Sequence, residues 1–210
     1  MRSVALFVAG VAVSVFAAEG PTEHLLKQLE RRYNHSQTLQ VHFSETYISP
    51  GRTSRTEAGM LYLRKPGRMR WDYTSPTGKL FISDGKLLYL YIPSSKRVEK
   101  MKLKESEDYR APLAFLLGKL DFSKDFQNIQ ARQQGADTLV SADPKSSNLP
   151  YSKVEFLVSP KIEIRKLHIV GQDKSVLDFE FEQEMLNPKL DSRMFQFQPP
   201  SGAEVVEGGD

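Results

Sequence analysis

Hydrophobic and polar residues alternate along most of this chain, and the alternation is clearest over residues 57–93. Four runs rich in β-branched, aromatic and leucine residues are separated there by Pro66-Gly67, by Pro76-Thr77-Gly78 and by Asp84-Gly85. Each separator is a turn signal, so the stretch predicts an antiparallel meander. Asp84-Gly85 predicts the sharpest turn, a two-residue hairpin with positive φ at both central positions. The period of two then puts Leu61, Leu63, Met69 and Trp71 on one face and Arg64, Arg68, Arg70 and Asp72 on the other. Upstream, a Thr22 cap followed by Leu25, Leu26, Leu29 and Tyr33 at helical spacing predicts an amphipathic helix to about His35. Leu39, Val41 and Phe43 then alternate with Gln40, His42 and Ser44 in a strand ending near Ile48.

Beyond Pro93, a strand with Val98, Met101 and Leu103 precedes a charged run over 104–110 and a short helix over 111–118. That helix has Pro112 early and Gly118 at its end, and it is apolar nearly all round. It fits a core helix or a lid over a hydrophobic cavity. Strands are predicted over 129–134, 138–142, 153–158, 162–170 and 176–184, with a Pro-, Ser- and Asn-rich loop at 143–150. In the last strand Leu177, Phe179 and Phe181 face inward, while Asp178, Glu180, Glu182 and Glu184 form a solvated row. The fold class is mainly β with helices (α+β): about ten strands in an antiparallel sheet curved around an apolar interior, with helices at its mouth.

Composition adds a compartment. Residues 1–18 carry one Arg, an apolar run over 4–16 and small residues suited to signal peptidase, as a cleaved export signal does. Cleavage is expected near residue 17 or 18. The chain has no cysteine, so an exported protein of this sequence folds without disulfides and carries no lipid on a cysteine of its own. The rest, 19–210, has the length of one domain. A formal charge of +3, spread evenly, gives no reason to expect nucleic acid as a partner. The basic residues beside Pro66 fit either a solvated face or a docking surface.

Catalytic and metal motifs are missing from the sequence. His24, His35, His42 and His168 lack metal-ligand spacing, and there is no nucleophile elbow or phosphate-binding glycine loop. The expectation is a protein that is not an enzyme and needs no cofactor or metal. Trp71, Tyr73, Tyr89 and Tyr91 form an aromatic group in adjacent strands, either stacking platforms for a ligand or cross-strand packing.

An ordered set of residues carries a family resemblance: Gly59, Leu61, Lys65-Pro66-Gly67, Arg70-Trp71, Pro76, Ser83-Asp84-Gly85, Tyr89-x-Tyr91-x-Pro93, and Phe195-Gln196-Phe197-Gln198-Pro199-Pro200-Ser201-Gly202 near the end. In this order they resemble the periplasmic outer-membrane lipoprotein carrier (LolA) family. The resemblance implies an incomplete antiparallel β-barrel enclosing a hydrophobic cavity closed by a helical lid. Its lipid pocket would be lined by Leu39, Val41 and Phe43, by Leu61, Leu63, Met69 and Trp71, and by Phe179 and Phe181. The lid would involve Leu113, Phe115, Leu116 and Leu117, held through Lys65, which stands where the family has a lid-bonding arginine. The implied function is a monomeric periplasmic chaperone. It would take acylated lipoproteins from an inner-membrane lipoprotein-releasing ABC transporter to an outer-membrane acceptor. The alternatives are an envelope-stress sensor of the same fold that binds lipoproteins, and the outer-membrane acceptor itself.

Overall fold

The computed structural model describes residues 20–103 and 120–208. Its first element, α1 (Pro21–His35), ends where the pattern predicts but begins one residue before Thr22, with Gly20 as N-cap. Proline at the first helical position presets φ and has no amide hydrogen to leave unpaired, so it displaces threonine from the capping role. Leu29 and Tyr33 are the buried side chains of the helix, and Leu25 and Leu26 pack partly against the same core.

The strands are β1 (Thr38–Ile48), β2 (Arg55–Arg64), β3 (Arg68–Ser75), β4 (Leu80–Asp84), β5 (Leu87–Ile92) and β6 (Arg97–Lys102). A one-turn helix, α2 (Phe122–Asp125), follows, then β7 (Phe126–Gln134), β8 (Asp137–Pro144), β9 (Tyr151–Val158), β10 (Ile164–Gly171), β11 (Val176–Leu186) and β12 (Glu204–Glu207). They form one sheet in the order β12-β6-β5-β4-β3-β2-β1-β11-β10-β9-β8-β7. Each pairing is antiparallel except β12 on β6. The two edges, β12 and β7, do not meet, so the sheet is an incomplete barrel with α1 against its inner face.

The meander has the expected register: Leu61 pairs with Trp71 and Leu63 with Met69, while Tyr62 and Arg64 pair with Arg70 and Arg68. One turn differs. Ser83 pairs with Leu88, so the central residues of the hairpin are Gly85 and Lys86, and only Gly85 has positive φ. Asp84 instead closes the turn with its side chain, accepting from the amides of Lys86 and Leu87 at 2.8 Å each. Gly59 lies at a register shift between β2 and β3. A Cβ there would sit 2.1 Å from the Asp72 carbonyl oxygen, a separation only glycine avoids.

A second departure is in β11. Gln183 has positive φ (54°), and the register against β1 shifts between Gln40 and His42. This β-bulge rotates the strand by one position. Glu184 therefore leaves the predicted solvated row and turns inward toward α1, whereas Glu180 and Glu182 stay exposed.

After β11 the chain crosses the outer face of the first half of the sheet. A turn of 3-10 helix, Ser192–Phe195, packs on β3 and β4. Phe195, Ile82 and Val98 are buried there, apart from the main core. Arg70 donates to the Met194 carbonyl at 3.0 Å and Arg64 to the Leu190 carbonyl at 3.4 Å. These two members of the basic group near Pro66 thus hold the C-terminal segment.

Candidate functional site

The inner face is built by alternation on β1, β2, β3 and β11. Leu39 and Val41 of β1 lie opposite Leu63 and Leu61 of β2, and those two lie opposite Met69 and Trp71 of β3. Phe43 pairs with Phe181 of β11, and Glu45 with Phe179. The nine residues expected in a lipid pocket thus share one hydrophobic cluster, eight of them buried and Phe181 partly so. Aromatic rings join the strands: Trp71 is 4.7 Å from Phe43 and 5.6 Å from Phe179, and Phe179 stacks on Phe181 at 5.7 Å. The expected lid residues Leu113, Phe115, Leu116 and Leu117 lie outside the described residues.

The four-membered aromatic group divides in two. Trp71 and Tyr73 face inward, Tyr73 against Phe43 at 5.1 Å. Tyr89 pairs with Ile82 and Tyr91 with Leu80, which puts them on the opposite face, where Tyr89 stacks on Phe197 at 5.0 Å. The pleat places them there because Phe81 and Leu90, not Ile82 and Tyr89, continue the inward row of Trp71.

Charge inside this interior is a feature the sequence reading missed. Glu45, Glu57 and Lys79 are each less than 7% exposed. Glu45 and Glu57 are direct cross-strand partners. Lys79 donates to Glu57, and its ammonium lies 4.2 Å above the Tyr73 ring. The Tyr73 hydroxyl donates to Glu45 at 3.0 Å, and Arg55 reaches Glu57 at 3.1 Å. Burial pushes the Glu57 carboxyl up, but its hydrogen bonds to Lys79 and Glu45 and the Lys79 charge outweigh that and hold it below the usual glutamate range. Parity was the available signal: Leu39, Val41 and Phe43 lead to Glu45, as Leu63, Leu61 and Gly59 lead to Glu57.

The indole Nε1 of Trp71 is also buried, in a residue with no exposed surface, and among the described residues it has no hydrogen-bond partner.

At the other end of β2, Lys65 Nζ donates to the Tyr33 carbonyl at 2.7 Å, with Asn34 O at 3.4 Å. A cation there satisfies end-of-helix carbonyls and opposes the negative end of the helix dipole. Partial burial lowers the Lys65 pKa. Alongside, Glu184 accepts from Tyr33 Oη at 2.7 Å and from Arg32 at 2.5 Å, and Tyr33 Oη accepts from the Ile164 amide at 3.0 Å. Burial first, and the Glu184 charge second, push the Tyr33 pKa well up, so it stays a neutral donor. Asn34 exchanges hydrogen bonds with the backbone of Leu120 at 2.7 and 2.8 Å, where the described chain resumes after residue 119.

A different concavity, about 590 Å³, lies on the outer face among β1, β11, β10, β9 and the β7–β8 hairpin. It is polar, and its side chains pair across strands, as in Lys166 with Glu180 and the hydrogen-bonded His168 and Asp178 at 2.6 Å. Among the described residues no group of three His, Cys, Asp or Glu could hold a metal ion.

Comparison with known proteins follows this geometry closely. Residues 34–198 match the family model described as outer membrane lipoprotein carrier protein LolA. The outer-membrane lipoprotein carrier protein of Chromobacterium violaceum is 29% identical, covering 99% of this chain and 97% of that protein. Its counterpart in Proteus mirabilis is also 29% identical, over 98% of each chain. The crystal structure of an uncharacterized conserved protein from Thermus thermophilus superposes with a TM-score of 0.53 at 10% identity, covering 90% of this chain and all of that one, and so has the same fold.

Proposed function

This chain belongs to the outer membrane lipoprotein carrier protein LolA family, and from that premise we propose that it carries acylated lipoproteins through the periplasm without doing chemistry on them. The route is from an inner-membrane lipoprotein-releasing ABC transporter to an outer-membrane acceptor, with the protein acting as a monomer and needing no cofactor. The observation that carries this reading is the single apolar inner face running from Leu39 through Trp71 to Phe179 under an open sheet. Relatives named for lipoprotein carriage match over 97% or more of their own length, which favours the carrier over the sensor and acceptor alternatives.

Physics explains the need for such a face. Each exposed methylene costs about 0.8 kcal/mol, so a single long acyl chain costs on the order of 11 kcal/mol in water. Only a protein that covers the chain moves it across an aqueous compartment. Release requires walls that adapt, which the leucine, methionine and aromatic lining supplies. In this proposal Leu39, Val41, Phe43, Leu61, Leu63, Met69, Trp71, Phe179 and Phe181 part to admit the chain, and Lys65 holds the end of α1 against them.

The test is displacement of an environment-sensitive dye from the folded protein. An acylated peptide should displace it about a thousandfold more effectively than the same peptide without its chain, the effect of burying only a few methylenes. Equal displacement by both would end the carrier reading. Export has its own check: protein recovered from the periplasm should begin near residue 18 or 19, and retention of Met1 in membranes would overturn the localisation.

A further inference from the structure

We infer that the indole N–H of Trp71 is a binding group for the cargo, donating a hydrogen bond to an ester or amide carbonyl of a bound acyl chain. This rests on the carrier reading above and adds to it a polar recognition element within the apolar interior.

The argument is one of hydrogen-bond accounting. Buried donors in folded proteins are nearly always paired, and a buried indole N–H ordinarily finds an acceptor. Trp71 has no exposed surface, and its Nε1 has none. Tyr73 Oη donates to Glu45 and Lys79 to Glu57, and among the described residues no acceptor lies within hydrogen-bond reach of the indole nitrogen. Packing against Phe43, Phe179, Leu61 and Phe81 calls for a large apolar ring but not for a donor, and an unpaired donor there carries a cost. The indole stands in the middle of the apolar face, between the charged set at Glu57 and the Lys65 end of β2.

A donor in this setting selects for chemistry. A hydrocarbon tail offers it nothing, whereas an acyl chain brings a carbonyl oxygen of matching polarity, and pairing the two inside a low-dielectric interior relieves both. The interaction favours acylated over merely alkylated cargo. It is a neutral hydrogen bond, so it adds selectivity without preventing release.

Trp71 is the sole tryptophan, so its indole resonance in a proton–nitrogen correlation spectrum is unambiguous. The probes are a peptide with a diacylglyceryl group on its terminal cysteine and a twin whose two esters are ethers. The ester-linked peptide should move the indole proton downfield and bind about three- to tenfold more tightly than the ether twin. In Trp71→Phe the affinity ratio between the two twins should fall to about one, whatever the change in absolute affinity. An indole resonance that responds identically to both twins, with equal affinities, overturns the proposal and leaves the carrier reading standing. Failure of both twins to bind overturns the carrier reading and the proposal together. If Trp71→Phe proves unstable, the comparison of the twins on the unmodified protein decides alone.

Discussion

Replacing Lys79 with alanine is expected to destabilise the fold by about 3–5 kcal/mol, because it leaves a buried carboxylate without its cation. Glu57 and Glu45 face each other across β1 and β2 at 4% and 6% exposure. Among the described residues it is Lys79 that brings a buried positive charge to Glu57. Arg55 also reaches Glu57, but its side chain is 68% exposed and its charge is screened. A pH profile gives the mechanism a signature of its own. In the wild-type protein the folded pKa of Glu57 is depressed. Its contribution is therefore fully present above the unfolded glutamate value of about 4.3 and is lost as pH falls through the folded value. Without Lys79, burial dominates, the folded pKa rises above the unfolded one, and acidification toward pH 5 should restore part of the lost stability. Urea unfolding between neutral pH and about pH 5 should show no Glu57-linked change in the wild-type protein and a gain in stability in the variant. A loss under about 1 kcal/mol, or parallel slopes, would contradict the assignment. The double variant Lys79→Met with Glu57→Gln, which removes both charges, should recover most of the loss.

That buried set shows what could be read from the sequence and what could not. Alternation is local, so the meander, its register from Leu61–Trp71 to Arg64–Arg68, and the inward phase of Leu39, Val41 and Phe43 were all legible. So in principle were Glu45 and Glu57, which keep the inward parity of their strands; the expectation that inward means apolar hid them. Tyr89 and Tyr91 do not join Trp71 and Tyr73, because the pleat carries Phe81 and Leu90 inward in their place. Pairings between distant segments leave no local trace. Nothing near Arg70 announces the Met194 carbonyl, and β12, four residues on a parallel partner, is too short to show a period. The resemblance supplied the incomplete barrel and gave Lys65 the role of holding a lid whose residues lie outside the described ones. The geometry shows which carbonyls Lys65 meets, those of Tyr33 and Asn34 at the end of α1.

The bulge in β11 was invisible for a different physical reason, and it supports the second large effect. A strand of uninterrupted period two would put Glu184 beside Glu182 in solvent. The positive φ of Gln183 turns it toward α1, where its side chain is 9% exposed and accepts from both Arg32 and Tyr33. Glu184→Ala should therefore cost about 2–4 kcal/mol, since it strips a charged acceptor from two partly buried donors. The loss should fall mainly on α1, because Arg32 and Tyr33 lose their shared acceptor, leaving the helix tied by Lys65 at its end, by Asn34 to Leu120 and by Glu30 to the Phe122 amide. Amide exchange in α1 should accelerate more than exchange in β2 and β3. Two changes at Gln183 separate the bulge from the ion pair. Glycine, at ease at positive φ, should be neutral or stabilising by up to about 1 kcal/mol. Valine, which resists that conformation, should lose about 1–3 kcal/mol and loosen α1 as Glu184→Ala does. If Glu184→Ala leaves α1 exchange unchanged, or if valine is tolerated as well as glycine, the bulge does not position the carboxylate that anchors the helix.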